Sequence, residues 1–183
     1  MVIINLVPVA AGGGLQNAIS FLTEFFKCSY IDNSKFIFIV RTGSALEELC
    51  SIHNIKYESV KLNSVIDRLR FETIIVRKIV ARYSPKVIFT LFGNPPVFTP
   101  SKVKKVSGFA RSNIIEQRSE FWSFLPTIEY FKKRMTDELI RVLFKRSDVI
   151  IVETERLLRL AESSRTFGNS KIRCVQMSPS AAF

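Results

Sequence analysis

The sequence predicts an α/β fold of the Rossmann-like kind, in which a parallel sheet carries helices on both faces. Three observations predict it. Short β-branched and aromatic runs recur along the chain, a helical pattern separates most of them, and the runs are almost continuously apolar instead of alternating. Strands with this composition are typical of a sheet buried on both sides, because crossover helices cover the two faces of a parallel sheet.

Each element can be placed from its pattern. Strands are predicted at residues 2–7, 35–40, 55–62, 87–92, 102–109, 147–152 and 171–175. Apolar residues at helical spacing predict helices at residues 15–26, 45–52, 65–83, 120–146 and 155–162. Pro126 is expected in the first turn of the fourth helix or at a short break before it. With 183 residues and no linker or repeat, the chain predicts a single Rossmann-like domain over residues 1–183.

Ligands of open parallel sheets bind at the carboxyl ends of the strands. The loops after Val7, Val40, Phe92, Phe109 and Val152 are therefore the places where a binding site is expected.

Three consecutive glycines, Gly12, Gly13 and Gly14, lie between the first strand and the first helix. Glycine lets the backbone approach a ligand closely, and a helix amino terminus aims amide groups at an anion or a hydroxyl group. The spacing is neither that of the dinucleotide fingerprint nor that of a phosphate-binding P-loop, which also requires a lysine. The cluster indicates either a substrate site or a tight turn without a ligand.

Three segments together resemble one known family. They are residues 3–7 with the run Gly12 to Ala18, then residues 147–155, then residues 171–176. In order and separation they are similar to the amino-terminal domain of the retaining glycosyltransferases of family 4, which have the two-domain GT-B architecture. The resemblance implies transfer of a sugar from a nucleotide-sugar donor to a saccharide or lipid-linked saccharide acceptor, in the synthesis of a cell-surface polysaccharide or another glycan.

The resemblance also implies where substrate binds. The candidate substrate-binding residues are Gly12, Gly13, Gly14, Gln16, Asn17, Arg111, Asn113 and Glu153. Many family members carry a histidine after the fifth strand, but residues 107–113 contain none, so no catalytic residue is predicted. The resemblance implies that the donor binds to a carboxyl-terminal domain or subunit, which this chain does not contain.

The net charge of +11, from 27 Lys and Arg against 16 Asp and Glu, indicates an anionic partner or a solvated basic surface. Residues 121–146 mix aromatic and cationic side chains, a composition suited to an anionic membrane surface. The alternative is that the apolar members of this segment form the buried face of a helix; they are Trp122, Phe124, Phe131, Leu139, Val142 and Leu143. No nucleic-acid recognition module is visible, and nucleic acid is not expected as a partner.

Several other functions are not expected. The apolar stretch of residues 2–15 is broken by polar residues, proline and glycine, so neither a membrane-spanning helix nor a secretory signal is predicted and the chain is expected to be cytoplasmic. Three separated cysteines and one histidine indicate no metal site, and no cofactor besides the nucleotide-sugar substrate is expected. The second hypothesis is a non-catalytic module that binds an anionic ligand, a membrane or a partner subunit.

Overall fold

The computed structural model describes residues 1–115 and 124–176, and seven strands of this part form one sheet. In chain order they are β1 Val2–Asn5, β2 Phe36–Arg41, β3 Tyr57–Val60, β4 Val87–Thr90, β5 Lys104–Phe109, β6 Val149–Val152 and β7 Lys171–Cys174. The spatial order is β3-β2-β1-β4-β5-β6-β7, and every neighbouring pair is parallel. The predicted Rossmann-like parallel sheet is confirmed.

Helices lie on both faces of the sheet, as predicted. They are α1 Gly12–Lys27, α2 Ala45–Ile52, α3 Val65–Arg70, α4 Val76–Tyr83, α5 Ser112–Ile115, α6 Thr127–Phe144 and α7 Glu155–Ser164. A wide π-helical turn, Phe71–Ile75, joins α3 to α4, so the predicted helix of residues 65–83 is continuous. Among the described residues, no helix combines the length and the apolar character needed to cross a bilayer.

The two faces of the sheet have separate cores because side chains alternate along each strand. Helices α1 and α2 pack with Ile4 and Phe38 on one face. Helix α4 packs with Ile3 and Ile88 on the other face, and the strand register places Ile150 on that same face. Helix α7 and the carboxyl end of α6 pack around Ile150, so α4, α6 and α7 cover one face and α1 and α2 the other.

Two helix boundaries differ from the prediction. Helix α1 begins at Gly12 instead of Leu15, because the glycines form its first turn. Helix α6 occupies Thr127–Phe144 within the predicted residues 120–146, and Pro126 is the residue that precedes its first turn. A proline has no amide hydrogen to donate, so it fits the start of a helix. Residues 120–123 lie outside the described residues.

Candidate functional site

The strand order creates a crevice between β1 and β4. The chain leaves these adjacent strands in opposite directions, and such a switch point leaves a gap at their carboxyl ends. Two buried polar side chains join the strands there: the Asn5 amide nitrogen donates to the Thr90 hydroxyl at 3.4 Å. The Asn5 side-chain oxygen also accepts from the backbone N–H of Val7 at 3.2 Å, which fixes the first residues of the loop after β1.

Helix α1 opens beside this crevice without a side-chain cap. Ser44, Ser64 and Thr154 each accept a hydrogen bond at the start of α2, α3 and α7, but Ala11 has no side-chain oxygen and caps nothing. A Cβ atom built on Gly12 or on Gly13 would meet nothing within 4 Å. Exposed and uncapped amide groups of this kind can donate hydrogen bonds to an anion or to a hydroxyl oxygen of a ligand.

Gly12 has a backbone conformation that favours glycine. Its φ of +65° lies in the left-handed region, where a side chain would strain the backbone. Two residues further, a Cβ on Gly14 would lie 3.6 Å from Val9 and 4.0 Å from the Phe92 ring. The first turn of α1 therefore faces open space at Gly12 and Gly13 and contacts the crevice wall at Gly14.

A guanidinium group supports the loop after β1. Arg41 Nε donates to the carbonyl oxygen of Val7 at 2.7 Å. The pKa of Arg41 is lowered, first by partial burial and then by the neighbouring positive charge of Arg68. Two cations close together at the carboxyl ends of β1 and β2 favour an anionic ligand at this edge. Arg41 was not among the predicted site residues, although its position directly after an apolar strand places it where a ligand is expected.

The predicted substrate-binding residues all follow the carboxyl ends of strands, because the sheet is parallel. Gly12, Gly13, Gly14, Gln16 and Asn17 form the first turns of α1, with Gln16 and Asn17 exposed. Arg111 and Asn113 follow β5, and Glu153 follows β6. Since β6 stands three strands from β1, at about 4.8 Å per strand, these two strands lie on the order of 14 Å apart. A role for these residues in substrate binding stays a prediction.

Glu153 places one carboxylate oxygen in a buried position. Its Oε1 atom is buried, and within the described ranges 1–115 and 124–176 it has no hydrogen-bond partner. Partial burial raises the pKa of this carboxyl group above its ordinary value of 4.5. A buried acceptor of this kind suits a ligand hydroxyl group, and it otherwise costs stability.

We expect Glu153→Gln to be more stable than the wild type at neutral pH and equally stable below pH 4.5. The raised pKa means that the folded chain binds this proton more tightly than the unfolded chain. The associated stability is complete below pH 4.5 and is lost as pH rises through the raised pKa. Urea unfolding of both proteins at pH 4 and pH 7 measures the difference. A difference that does not change with pH would contradict the assigned shift.

The described residues contain no group of three or more His, Cys, Asp or Glu side chains that could hold a metal ion. The single histidine, His53, is exposed at the end of α2, where its ring centroid lies 4.7 Å from that of Phe26. It therefore stands at a helix end.

The fold and this edge define a class: an α/β domain with a seven-stranded parallel sheet and a glycine turn at its switch point. In its fold, the chain is similar to the crystal structure of Anabaena HepE in complex with UDP and glucose. The TM-score is 0.55 at 12% identity, over 97% of this chain and 44% of the HepE chain. The chain thus spans less than half of the HepE chain. No protein-family profile and no curated protein sequence matches it.

Proposed function

We propose that this domain is the amino-terminal half of a GT-B glycosyltransferase of family 4 and that its glycine turn binds substrate. The observation that carries the proposal is the uncapped, open first turn of α1 at the switch point. The likeness to HepE supports it, since that structure contains UDP and glucose and matches nearly the whole of this chain.

The reaction moves a sugar from a nucleotide-sugar donor to an acceptor hydroxyl group. A bond forms between the acceptor oxygen and the anomeric carbon, the bond from that carbon to the diphosphate breaks, and the acceptor proton is released. In this proposal the domain holds a saccharide or lipid-linked saccharide acceptor beside the reacting sugar. A carboxyl-terminal domain or subunit binds the nucleotide, so the chain alone binds nucleotide sugar weakly and transfers negligible sugar.

The Gly13→Val variant tests the glycine turn. A branched side chain at this open position would cover the amide groups of the first turn, so we expect at least a tenfold loss of affinity for UDP-glucose. Valine and glycine have similarly low helix propensities, so the free energy of unfolding should change by less than about 0.5 kcal/mol. Backbone amide shifts of residues 12–17 report the binding, and Ser163→Val, an exposed enlargement on α7, is the matched control.

Transfer is measured by mass spectrometry of lipid extracts incubated with a panel of nucleotide sugars. Product that requires both this chain and lysate from its source supports a half-enzyme with a separate partner. Robust turnover by the chain alone would contradict the division of roles. UDP-glucose binding that Gly13→Val and Ser163→Val leave unchanged would remove the glycine turn from the site.

A second function, attachment to an anionic membrane surface, is favoured by the orientation of α6. Five apolar side chains of this helix point outwards: Ile128, Phe131, Met135, Leu139 and Val142 are each more than half exposed. Their spacings of three and four residues place them on one helix face. The alternative, that these side chains form a buried face, is wrong for Phe124, Phe131, Leu139 and Val142; Leu143 is half-buried and Trp122 lies outside the described residues.

The inward face of α6 mixes charged and apolar side chains, and Ile140 packs against the core of the sheet there. Asp137 is only 6% exposed and pairs with Lys133, whose ammonium nitrogen lies 3.6 Å from a carboxylate oxygen. Arg141 is half-buried on the same side, and Phe144 is the buried apolar residue at the helix end. A helix that exposes five large apolar side chains while it turns Asp137 inwards loses hydrophobic stabilisation in water, and a partner on its outer face would restore it.

An anionic bilayer fits this outer face. The apolar stripe from Ile128 to Val142 is about 21 Å long at 1.5 Å per residue, enough to lie in the interface. Exposed Lys132 and Lys145 can reach anionic headgroups beside it. We propose that the protein acts at the cytoplasmic face of a membrane, where a lipid-linked acceptor is present. Docking of a partner subunit on the stripe is the competing outcome of the vesicle test described in the Discussion.

A further inference from the structure

A basic cavity of about 870 Å³ lies at the end of the sheet opposite the glycine turn. Its walls are the carboxyl end of α4, the loop of residues 97–103, and Arg146 just beyond α6. The loop leads into β5 at Lys104, and α4 ends shortly before β4 begins at Val87. The cavity therefore lies at the amino ends of these strands and is separate from the candidate substrate site.

Four cationic side chains line the cavity: Arg77, Lys86, Lys102 and Arg146. In the part of the chain that the structure describes, no carboxylate lines the cavity and none of the four forms an ion pair. Like charges gathered in one concave surface repel each other, and the surrounding protein focuses their potential into the cavity. An anion that entered the cavity would relieve this repulsion.

Hydrogen bonds to Val97 fix one side of the cavity lining. Arg146 donates a hydrogen bond to the carbonyl oxygen of Val97, and Glu72 accepts from the Val97 amide at 3.0 Å. Burial raises the pKa of Glu72, although the Val97 amide and the charges of Arg68 and Arg146 act in the opposite direction. Glu72 is thus occupied in fixing the loop from behind and is not part of the cavity lining.

An aromatic ring adds a second kind of contact. The Phe98 side chain is about half exposed, and the guanidinium carbon of Arg77 lies 5.9 Å from its ring centroid. A ring of a ligand can pack on Phe98 while Arg77 beside it donates hydrogen bonds to an anionic group. The volume is within the usual range for small-molecule sites, which suits a ligand larger than a single inorganic ion.

We infer that this cavity binds a phosphate-bearing ligand with at least two negative charges. The contacts are Arg77, Lys86, Lys102 and Arg146 to phosphate oxygens and Phe98 to an apolar or ring portion. Guanidinium groups bind phosphate with two parallel hydrogen bonds, and lysine adds point charges. The phosphate can belong to a soluble compound or to a phospholipid headgroup, and these two sources share the chemistry that the cavity recognises.

The test is a titration at constant ionic strength with two probes: inorganic pyrophosphate, and dihexanoyl phosphatidic acid below its micelle-forming concentration. Amide shifts of Phe98, Thr99 and Lys102 report occupancy of the cavity. We expect Arg77→Gln to lower the affinity for the more tightly bound probe about tenfold. This factor corresponds to the loss of a charge-assisted contact of about 1.4 kcal/mol. Lys78→Gln removes an equal charge from the same helix at an exposed residue outside the lining and should change the affinity less than twofold.

The outcomes separate the alternatives. Tighter binding of pyrophosphate assigns the cavity to a soluble phosphate compound, and tighter binding of the short-chain lipid assigns it to a headgroup. Equal loss in Arg77→Gln and Lys78→Gln would show a diffuse charge effect and overturn the inference, as would no binding of either probe at millimolar concentration. Gly13→Val should leave this binding unchanged, so failure of the glycine-turn proposal and failure of this one are distinguishable.

Discussion

Gly93→Ala is expected to lower the free energy of unfolding by about 1–3 kcal/mol, the usual cost of overpacking a tight contact. A Cβ atom on Gly93 would lie 2.6 Å from Cγ and 2.8 Å from Cβ of Pro8, closer than real contacts allow. The closed ring of Pro8 cannot swing aside, so the loop after β1 must move away from the loop after β4. Urea unfolding at neutral pH measures the change.

Gly13→Ala is the matched control, because a Cβ there meets nothing within 4 Å. Alanine is a better helix former than glycine by about 1 kcal/mol, so this variant should be unchanged or slightly more stable. In a Pro8→Gly background the Gly93→Ala substitution should cost less, since the two contacts with the Pro8 ring are removed. Equal costs in both backgrounds would contradict the contact between the two loops.

The sheet was predictable because apolar strands and helical spacing are local signals. All seven predicted strands exist, each within a few residues of its predicted bounds. Strand ends were predicted too late where apolar residues continue beyond the strand, as Leu91 and Phe92 do after β4. Phe92 has a φ of +51°, so it belongs to the turn, although phenylalanine is a residue type that is common in strands.

The candidate site was predictable in part. The glycine turn follows from sequence, because three glycines after a strand have few structural explanations. The Asn5 and Thr90 pair needed the strand order, since the two residues are 85 positions apart in the chain and meet only because β1 pairs with β4. Arg41 likewise contacts Val7 across 34 positions. Partnerships between distant polar residues depend on topology, which local patterns do not specify.

The orientation of α6 could not be read from its sequence. Both faces of the helix mix cations with apolar residues, so the pattern fits a buried face and a membrane-facing one equally well. Contacts decide between them: Phe144 anchors the carboxyl end in the core of the sheet, and the rotation that this imposes turns Asp137 inwards and Met135 outwards. The apolar stripe of α6 is therefore a property of the tertiary structure.

The double variant Phe131→Glu/Leu139→Glu is expected to lose at least tenfold of its affinity for phosphatidylglycerol vesicles. Two large apolar side chains that leave the interface remove about 1.5–3 kcal/mol each, and two new carboxylates are repelled by anionic headgroups. Both side chains are more than 60% exposed, so the free energy of unfolding should change by less than about 0.5 kcal/mol per substitution. Vesicle cosedimentation and urea unfolding measure the two quantities.

The double variant Tyr30→Glu/Ile52→Glu is the matched control. It introduces the same charge and removes two exposed large side chains on the opposite face of the sheet, where α1 and α2 pack. If charge alone governs vesicle binding, both double variants lose affinity equally, and the proposed role of α6 is wrong. If the α6 stripe lies in the interface, only the α6 variant loses vesicle binding. Added salt should then weaken wild-type binding without abolishing it, because salt does not screen the apolar contribution. Wild-type chain that binds no vesicles would instead assign the stripe to a partner subunit.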